Sequence, residues 1–493
     1  MVFSRAKTYV VSVMSFPVIM VLVWMYLMMI QFYLVTISVN HDTVNLESIS
    51  FSTYILFPLI GLLTDVYIGR YRAIMIGINL CFISWIITGI LFILNSSYGG
   101  FMGQMWILPG SIINVIGYIT FAANIIQYNV DQLIGASANE LSTIIYWNIA
   151  SYPTAWVLSD SLLLLDTVTA DLLFIIATGV ALSLILVSHS LFKHKLENVS
   201  QIKNPVKLIV RVLCYARKHK YPENRSALTY WEEEAPSRLD LGKDKYGGSF
   251  TEEEVEDVKT FFRMLPLFIA IVGFGSALFL WIPLGKAMNK SSVHYIIFKY
   301  DGAYQIVVLL LFFIYQFIIR GCCHRYIPSM LTRMGAGLVF ALLGCITQLL
   351  VHIFASYDFL LIIRQILFGI TCFLIYPTSL EFTVAQSPEY MRGMMVGLCY
   401  SSLGIGSIIA FMLLFLIKKW YYIITISCVF QLLILIAFVI LAKRYKYRVR
   451  ENEVNIVQIV DDHYQRYMEQ EDEYEYQRHK VTLENETNYV IND

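Results

Sequence analysis

Apolar residues run through this chain in long blocks separated by short polar stretches. About 20 apolar residues in a helix cross the hydrocarbon core of a bilayer. Roughly twelve blocks meet or approach that length: 9–39, 48–68, 72–94, 105–130, 141–162, 171–191, 261–284, 300–320, 329–354, 358–380, 393–417 and 419–442. Each is expected to be helical, because lipid offers no partner for a backbone N–H or C=O. The first block is long enough to tilt. The blocks form two sets of six, at 1–191 and 261–442, around a polar segment at 192–260, with a polar tail at 443–493. The predicted fold class is an all-α polytopic membrane protein of two six-helix bundles.

The polar segment has its own pattern. In QIKNPVKLIVRVLCYARKHK, Ile209, Val212 and Leu213 can share one helix face, with Lys207, Arg211 and Lys218 elsewhere around the helix. This fits a helix lying on an anionic inner leaflet, and equally a solvated linker helix. The rest of the segment is polar and turn-rich. The tail begins basic and turns acidic and Tyr-rich (YMEQEDEYEYQ), a composition of disorder and a candidate contact for a cytosolic partner.

Composition narrows the function classes. The chain is 57% hydrophobic and 15% charged, against about 25% charged in soluble domains, and its mean hydropathy is +0.62. The net charge of zero gives no electrostatic basis for nucleic acid. The first block exceeds a signal-peptide core and is expected to be an anchor. The cysteines are scattered, with Cys322 and Cys323 in a short loop, and show neither metal-ligand spacing nor a disulfide framework. No cofactor is expected, and no nucleophile or paired carboxylates suggest an enzyme.

Basic residues set the expected topology. Arg5, Lys7, Arg70, Arg72, Lys193 to Lys220, Arg320, Arg325, Arg392 and Lys443 to Arg450 fall on one side, which is assigned as cytosolic together with both termini. Lys418 and Lys419 are the exception. The sequons at Asn95 and Asn289 fall on the other side as candidate glycosylation sites.

Three stretches carry a mechanism. In GLLTDVYIGRYRAI (Gly61 to Ile74), Asp65 and Arg70 can pair at the cytosolic mouth as a latch. GYITFAANIIQYNVDQ (Gly117 to Gln132) interleaves Asn124, Gln127, Asp131 and Gln132 along one span. SLEFTVAQSPEYMRGMMVGL (Ser379 to Leu398) places Glu381 and Arg392 at the cytosolic end of span ten. Together with VEDVK before FFRMLPLF, these stretches resemble the proton-dependent oligopeptide transporter family of the major facilitator superfamily, nearest to the eukaryotic peptide/histidine transporters. The resemblance spans residues 54 to 410. It implies a major facilitator fold, alternating access, and gating roles for Asp65, Arg70, Asp131, Gln132, Glu381 and Arg392. Helix capping and plain positive-inside anchoring are the competing roles for these groups.

The departures from that family are as informative. Its coupling lysine falls at Ala122, and the Glu-Arg of its first helix falls at Ile19 and Met20. Its peptide-binding glutamate in span ten falls at Cys372, its span-five Asn and Gly at Ala150 and Tyr152, and its span-seven glutamines near Leu280 and Ile282. Asp65, Asp131, Asp160, Asp301 and Glu381 all lie near helix ends, and His352 lies near the outer end of span nine. Proton coupling needs a group whose protonation changes with access, so proton symport is disfavoured. Arg364, six residues into span ten, is either an anchor for an anionic group or an interfacial arginine. Asn124 and Gln127 either line a pathway or bond neighbouring helices.

The expected function is transport of a small organic solute, peptide-like or amino-acid-like, across a plasma, endosomal or lysosomal membrane. Its pathway candidates are Arg364, Asn124, Gln127 and Cys372. The rival reading is a non-transporting receptor or adaptor on a transporter fold.

Overall fold

The structure, a computed structural model, describes residues 15–40, 53–97, 108–133, 138–162, 167–196, 204–219, 237–288, 303–320, 326–354, 358–388, 391–445 and 447. Asn289, Asp301, Cys322, Cys323 and the tail beyond 447 lie outside them. The fold below belongs to the unit that ends at Tyr445.

The first bundle comprises α1 (Phe16–Asn40), α2 (Tyr54–Ile68), α3 (Arg70–Ser97), α4 (Leu108–Asp131), α5 (Ala138–Leu162) and α6 (Thr167–Phe192). Two linker helices follow, α7 (Pro205–Lys218) and α8 (Glu252–Met264). The second bundle comprises α9 (Ile269–Met288), α10 (Ala303–Ile319), α11 (Met330–Ile353), α12 (Asp358–Gln386), α13 (Arg392–Leu416) and α14 (Trp420–Arg444). Among the described residues nine helices are long and apolar enough to cross a membrane, and α2 and α10 are shorter apolar helices.

Burial follows from position. On α4 a continuous run from Gly117 to Val130 is buried apart from Thr120, whereas α6 and α14 expose many leucines, isoleucines and valines to the surface. A helix apolar all round needs either protein or lipid on every side. Helices α3 and α4 approach closely at Gly77 and Gly117, where a Cβ on either would sit under 3.0 Å from the other's carbonyl oxygen. The glycine of the motif stretch thus packs one helix on its neighbour.

The linker enters the second bundle as a nearly continuous rod. α8 starts with a capping box, Thr251 and Glu254 bonding each other's backbone N–H. A 3-10 turn at Leu265–Phe268, carrying Pro266, joins it to α9. α7 starts at Asn204, whose Oδ1 accepts from the Val206 and Lys207 amides, with Pro205 as the first helical residue. Its buried face is Pro205, Ile209, Val212 and Ala216, while Leu213 is exposed.

Lys243 ties the linker together. Its Nζ lies 3.1 Å from Asp240, 3.0 Å from Glu252 and 2.9 Å from Glu256, and Lys259 also bonds Asp240 and Glu256. Burial alone would raise the Asp240 carboxyl, but bonds from Lys259, Ser237 and Lys243 outweigh it and hold it below the usual carboxylate range. Burial likewise opposes the Lys243 charge, and bonds to Glu256, Glu252 and Asp240 outweigh it and raise that group. Glu252 and Glu256 are also lowered. Depressed carboxyls stabilise above their unfolded values, near pH 4, and lose that contribution as pH falls through the folded values. The raised lysine stabilises below about pH 10 and loses its contribution only above that. Amide exchange protection over 240–256 is therefore expected to stay level between about pH 5 and 9 and to drop below about pH 4. Protection that fell across neutral pH would contradict this.

Candidate functional site

The two bundles touch at the end of the molecule that carries the linker. There α2 packs on α13 and α5 packs on α10 and α12. Both α2 and α10 finish with a π turn, Thr64–Ile68 and Ile314–Ile319, at matching places in the two bundles. Such turns mark functional segments more often than plain helix does. Gly69 follows the first with φ +89°, a conformation that disfavours any side chain, and this aims Arg70 back at the π turn.

Arg70 is the centre of the first charge cluster. Its Nε donates to Asp65 Oδ1 at 2.6 Å and its Nη1 to Asp131 Oδ2 at 2.5 Å, all three side chains being less than a tenth exposed. Gln127 Nε2 donates to Asp131 Oδ1 at 2.9 Å. The cluster joins α2, α3 and α4, so it stiffens the first bundle. Its outer surface meets the second bundle at Gly393, where an added Cβ would fall 2.1 Å from Asp65 Oδ2. One turn further, a Cβ on Gly397 would fall 2.8 Å from Pro58 Cα. Glycine at both places lets α13 lie against α2.

The second cluster belongs to the other bundle. Arg333, on the first turn of α11, lies 3.0 Å from Glu381 of α12. Its Nη1 donates to the Tyr146 hydroxyl of α5 at 2.8 Å and to Tyr315 of α10 at 3.3 Å. Tyr146 also shares a 3.3 Å hydrogen bond with Thr378 and stacks on Tyr315 with ring centroids 4.7 Å apart. Beside it Arg320 donates to Thr143 of α5 at 2.8 Å and to Gln316 at 3.2 Å. Each of these two ion-paired clusters lies inside one bundle. The bonds just described between bundles run from Arg333, Arg320 and Thr378 to neutral hydroxyls of α5.

Above Tyr146 a cavity opens between the bundles. It has about 40 Å³ available to water centres, room for a few waters. Tyr146 and Tyr152 of α5, Tyr304 and Gln305 of α10, and Cys372 and Tyr376 of α12 supply its polar groups. Phenylalanines and aliphatic side chains complete the lining, which holds no charged side chain among the described residues.

Tyrosines continue outward from this cavity across both bundles. Ring centroids step from Tyr33 to Tyr152 (5.2 Å), to Tyr376 (6.3 Å), to Tyr400 (6.3 Å) and to Tyr54 (5.8 Å). Within the first bundle Tyr118 stacks on Phe32 with ring centroids 3.8 Å apart, and its hydroxyl donates to Met29 Sδ at 3.3 Å. The Tyr33–Tyr152 and Tyr376–Tyr400 ring contacts each lie within one bundle, whereas the Tyr152–Tyr376 and Tyr54–Tyr400 ring contacts cross between bundles.

The residues singled out by sequence divide accordingly. Asp65, Arg70, Asp131 and Gln127 come together, and Gln132 bonds the Tyr128 carbonyl one turn back, at 3.4 Å. Glu381 pairs with Arg333, and Arg392 opens α13. Asn124 accepts from Thr64 at 2.6 Å and donates to the Thr120 carbonyl, so it bonds helices within the first bundle. Of the four pathway candidates, Cys372 lines the cavity, and so do Ala150 and Tyr152, two of the departures. Arg364 is 1% exposed and lies off the lining. Helical spacing explains this: Gln365, Gly369, Cys372 and Tyr376 share one face of α12. Arg364 instead shares the face of Thr371 and Ile375, and Ile375 packs on Gly337 of α11. Asn95 sits in the last turn of α3. Sequence reasoning missed Arg333 and the tyrosines. A lone arginine just after the Ser329 cap, and tyrosines inside long apolar spans, were the available signals.

The POT family model matches residues 172–430, more than half of the chain. The chain belongs to the POT family. Solved structures agree on the fold. The POT family transporter PepTSo superposes with a TM-score of 0.64 at 15% identity, over 87% of this chain and 98% of that one. A POT family transporter in complex with 5-aminolevulinic acid gives 0.59 at 15% identity, over 86% and 96%. A bacterial homologue of the iron transporter ferroportin, in an outward-facing state, gives 0.56 at 13% identity, over 87% and 100%. The chain is thus an integral membrane protein with the transporter fold of its family.

Proposed function

We propose that this POT family member carries a small organic solute, peptide-like or amino-acid-like, by alternating access and without the family's proton-coupling groups. Two six-helix bundles, 1–191 and 261–442, would rock about the cavity between them. The observation that carries this reading is the cavity lining. Its polar groups are phenols, one amide and one thiol, with no carboxylate, imidazole or ammonium among the described lining residues. Ala122, Ile19 and Met20 supply no replacement charge in the first bundle.

The gating roles of Asp65, Arg70, Asp131, Gln132, Glu381 and Arg392 fit the same scheme. The clusters hold each bundle rigid, and separation of the bundles would break the bonds from Arg333, Arg320 and Thr378 to hydroxyls of α5, along with aromatic contacts. Contact at the linker end beneath a small cavity suits a closed inner gate. Basic residues at that end, among them Arg72, Lys193 and Lys443, favour a cytosolic linker and cytosolic termini. The membrane would be the plasma, endosomal or lysosomal membrane.

The test is uptake of labelled dipeptides, amino acids and uncharged amide derivatives into proteoliposomes. Saturable flux that only equilibrates the solute is the expected result. An absence of flux across the panel would refute transport.

A further inference from the structure

We infer that the central cavity selects solutes without a charged end: neutral molecules with an aromatic or apolar body and one or two hydrogen-bonding groups. This rests on the cavity being the transport site, which holds only a few waters in the present form and would widen as the bundles part. A zwitterion or ion entering it must shed water from each charge, a cost repaid only by a well-placed partner. Among the described residues the lining offers none. Phe274, Phe312 and Phe373 supply flat apolar surface, and Tyr146, Tyr152 and Tyr376 add ring surface with hydroxyls.

Those hydroxyls are carried on packed rings. Tyr152 packs edge-on against Tyr33, Tyr376 packs edge-on against Tyr400, and the Tyr304 hydroxyl accepts from Gln305 Nε2 at 2.9 Å. A phenol can donate one hydrogen bond and accept another. Gln305 keeps its Oε1 as an acceptor. Neutral donors and acceptors of a solute amide match this set.

The charges around the cavity do not alter the selection. Arg333 lies behind Tyr146 and is already matched by Glu381, so an arriving carboxylate would have to displace a buried partner. The same arginine opposes a cation resting on the Tyr146 ring. Arg364 lies on another face of α12 from Cys372 and Tyr376.

One scaffold in four charge states tests this. N-acetylphenylalaninamide is neutral, N-acetylphenylalanine an anion, phenylalanine a zwitterion and phenethylamine a cation. Affinity is read by equilibrium binding to the purified full chain, and flux separately in proteoliposomes. The expected result is that the neutral amide binds at least about tenfold more tightly than each charged form. Tyr152→Phe and Tyr376→Phe should each weaken the neutral amide several-fold while leaving the thermal unfolding midpoint near that of the native chain. Tightest binding by any charged form, equal binding by all four, or no binding by the neutral amide would overturn the inference. Loss of anion binding in Arg364→Ala would assign the selectivity to that arginine instead. Neutral binding without flux would refute transport and leave the selectivity standing. Flux of charged forms alone would do the reverse.

Discussion

Replacing Arg70 with alanine should destabilise the protein by about 3–5 kcal/mol, the usual cost of removing one partner from a buried ion pair. Arg70 holds both Asp65 and Asp131, and all three side chains are less than a tenth exposed. Its loss leaves two carboxylates close together with little water, a like-charge arrangement that burial makes worse. Gln127 donates to Asp131 and cannot supply the missing charge. The triple variant Arg70→Met, Asp65→Asn, Asp131→Asn should recover most of the stability, since it leaves no unpaired charge. Thermal unfolding of the three proteins in one lipid–detergent mixture checks this. A triple variant no more stable than Arg70→Ala would show that the loss came from packing, not from stranded charge.

The second large effect is expected at Gly393. A valine there would drive its Cβ to within 2.1 Å of Asp65 Oδ2, and Arg70 fixes that carboxylate in place. Overpacking of this kind costs typically 1–3 kcal/mol, which corresponds to a shift of about 5–150-fold between two conformations. The cost falls on the state in which α2 and α13 touch, while contacts inside each bundle persist. Gly393→Val should therefore stay folded, lose flux by about that factor, and open the linker end. Spin-label distances between α2 and α13 would lengthen in the variant. Gly61→Ala is a milder control, because its Cβ would meet the Gly393 carbonyl oxygen at 3.3 Å. Unchanged distances with unchanged flux would remove this contact from the gate.

Much of this arrangement is legible in the sequence, for physical reasons that differ by element. The long apolar helices follow from bilayer thickness and backbone hydrogen bonding, which leave few alternatives. The Asp65–Arg70 pair is local, five residues apart around a glycine turn. Asp131 belongs with them only through packing of α4 on α3. The Asn204–Pro205 start of α7 is written in its capping residues. The Lys243 cluster is not, because its carboxylates come from a folded loop and from α8.

The functional site is less legible. Glu381 stands out beside the span-ten motif, but its partner Arg333 lies on another helix and carries no local pattern. Cys372, Ala150 and Tyr152 are visible as departures from a family pattern, and all three line the cavity. The tyrosine path is invisible one helix at a time. Tyr33, Tyr54, Tyr118, Tyr152, Tyr376 and Tyr400 each look like an aromatic core position, and only the packing of the helices brings them together. Arg364 shows the opposite limit. A charge in a span attracts attention, but one residue along a helix turns a side chain by about 100°. That step separates Arg364 from Gln365, which shares a helix face with Cys372 and Tyr376.

The most direct test of transport without proton coupling is the proton itself. Proteoliposomes containing a pH-sensitive dye, and no imposed gradient, would be given a solute shown to enter through the purified chain. The expected result is solute influx with no change in internal pH beyond that of protein-free vesicles. Internal acidification that follows the influx, in fixed proportion to the solute taken up, would contradict it.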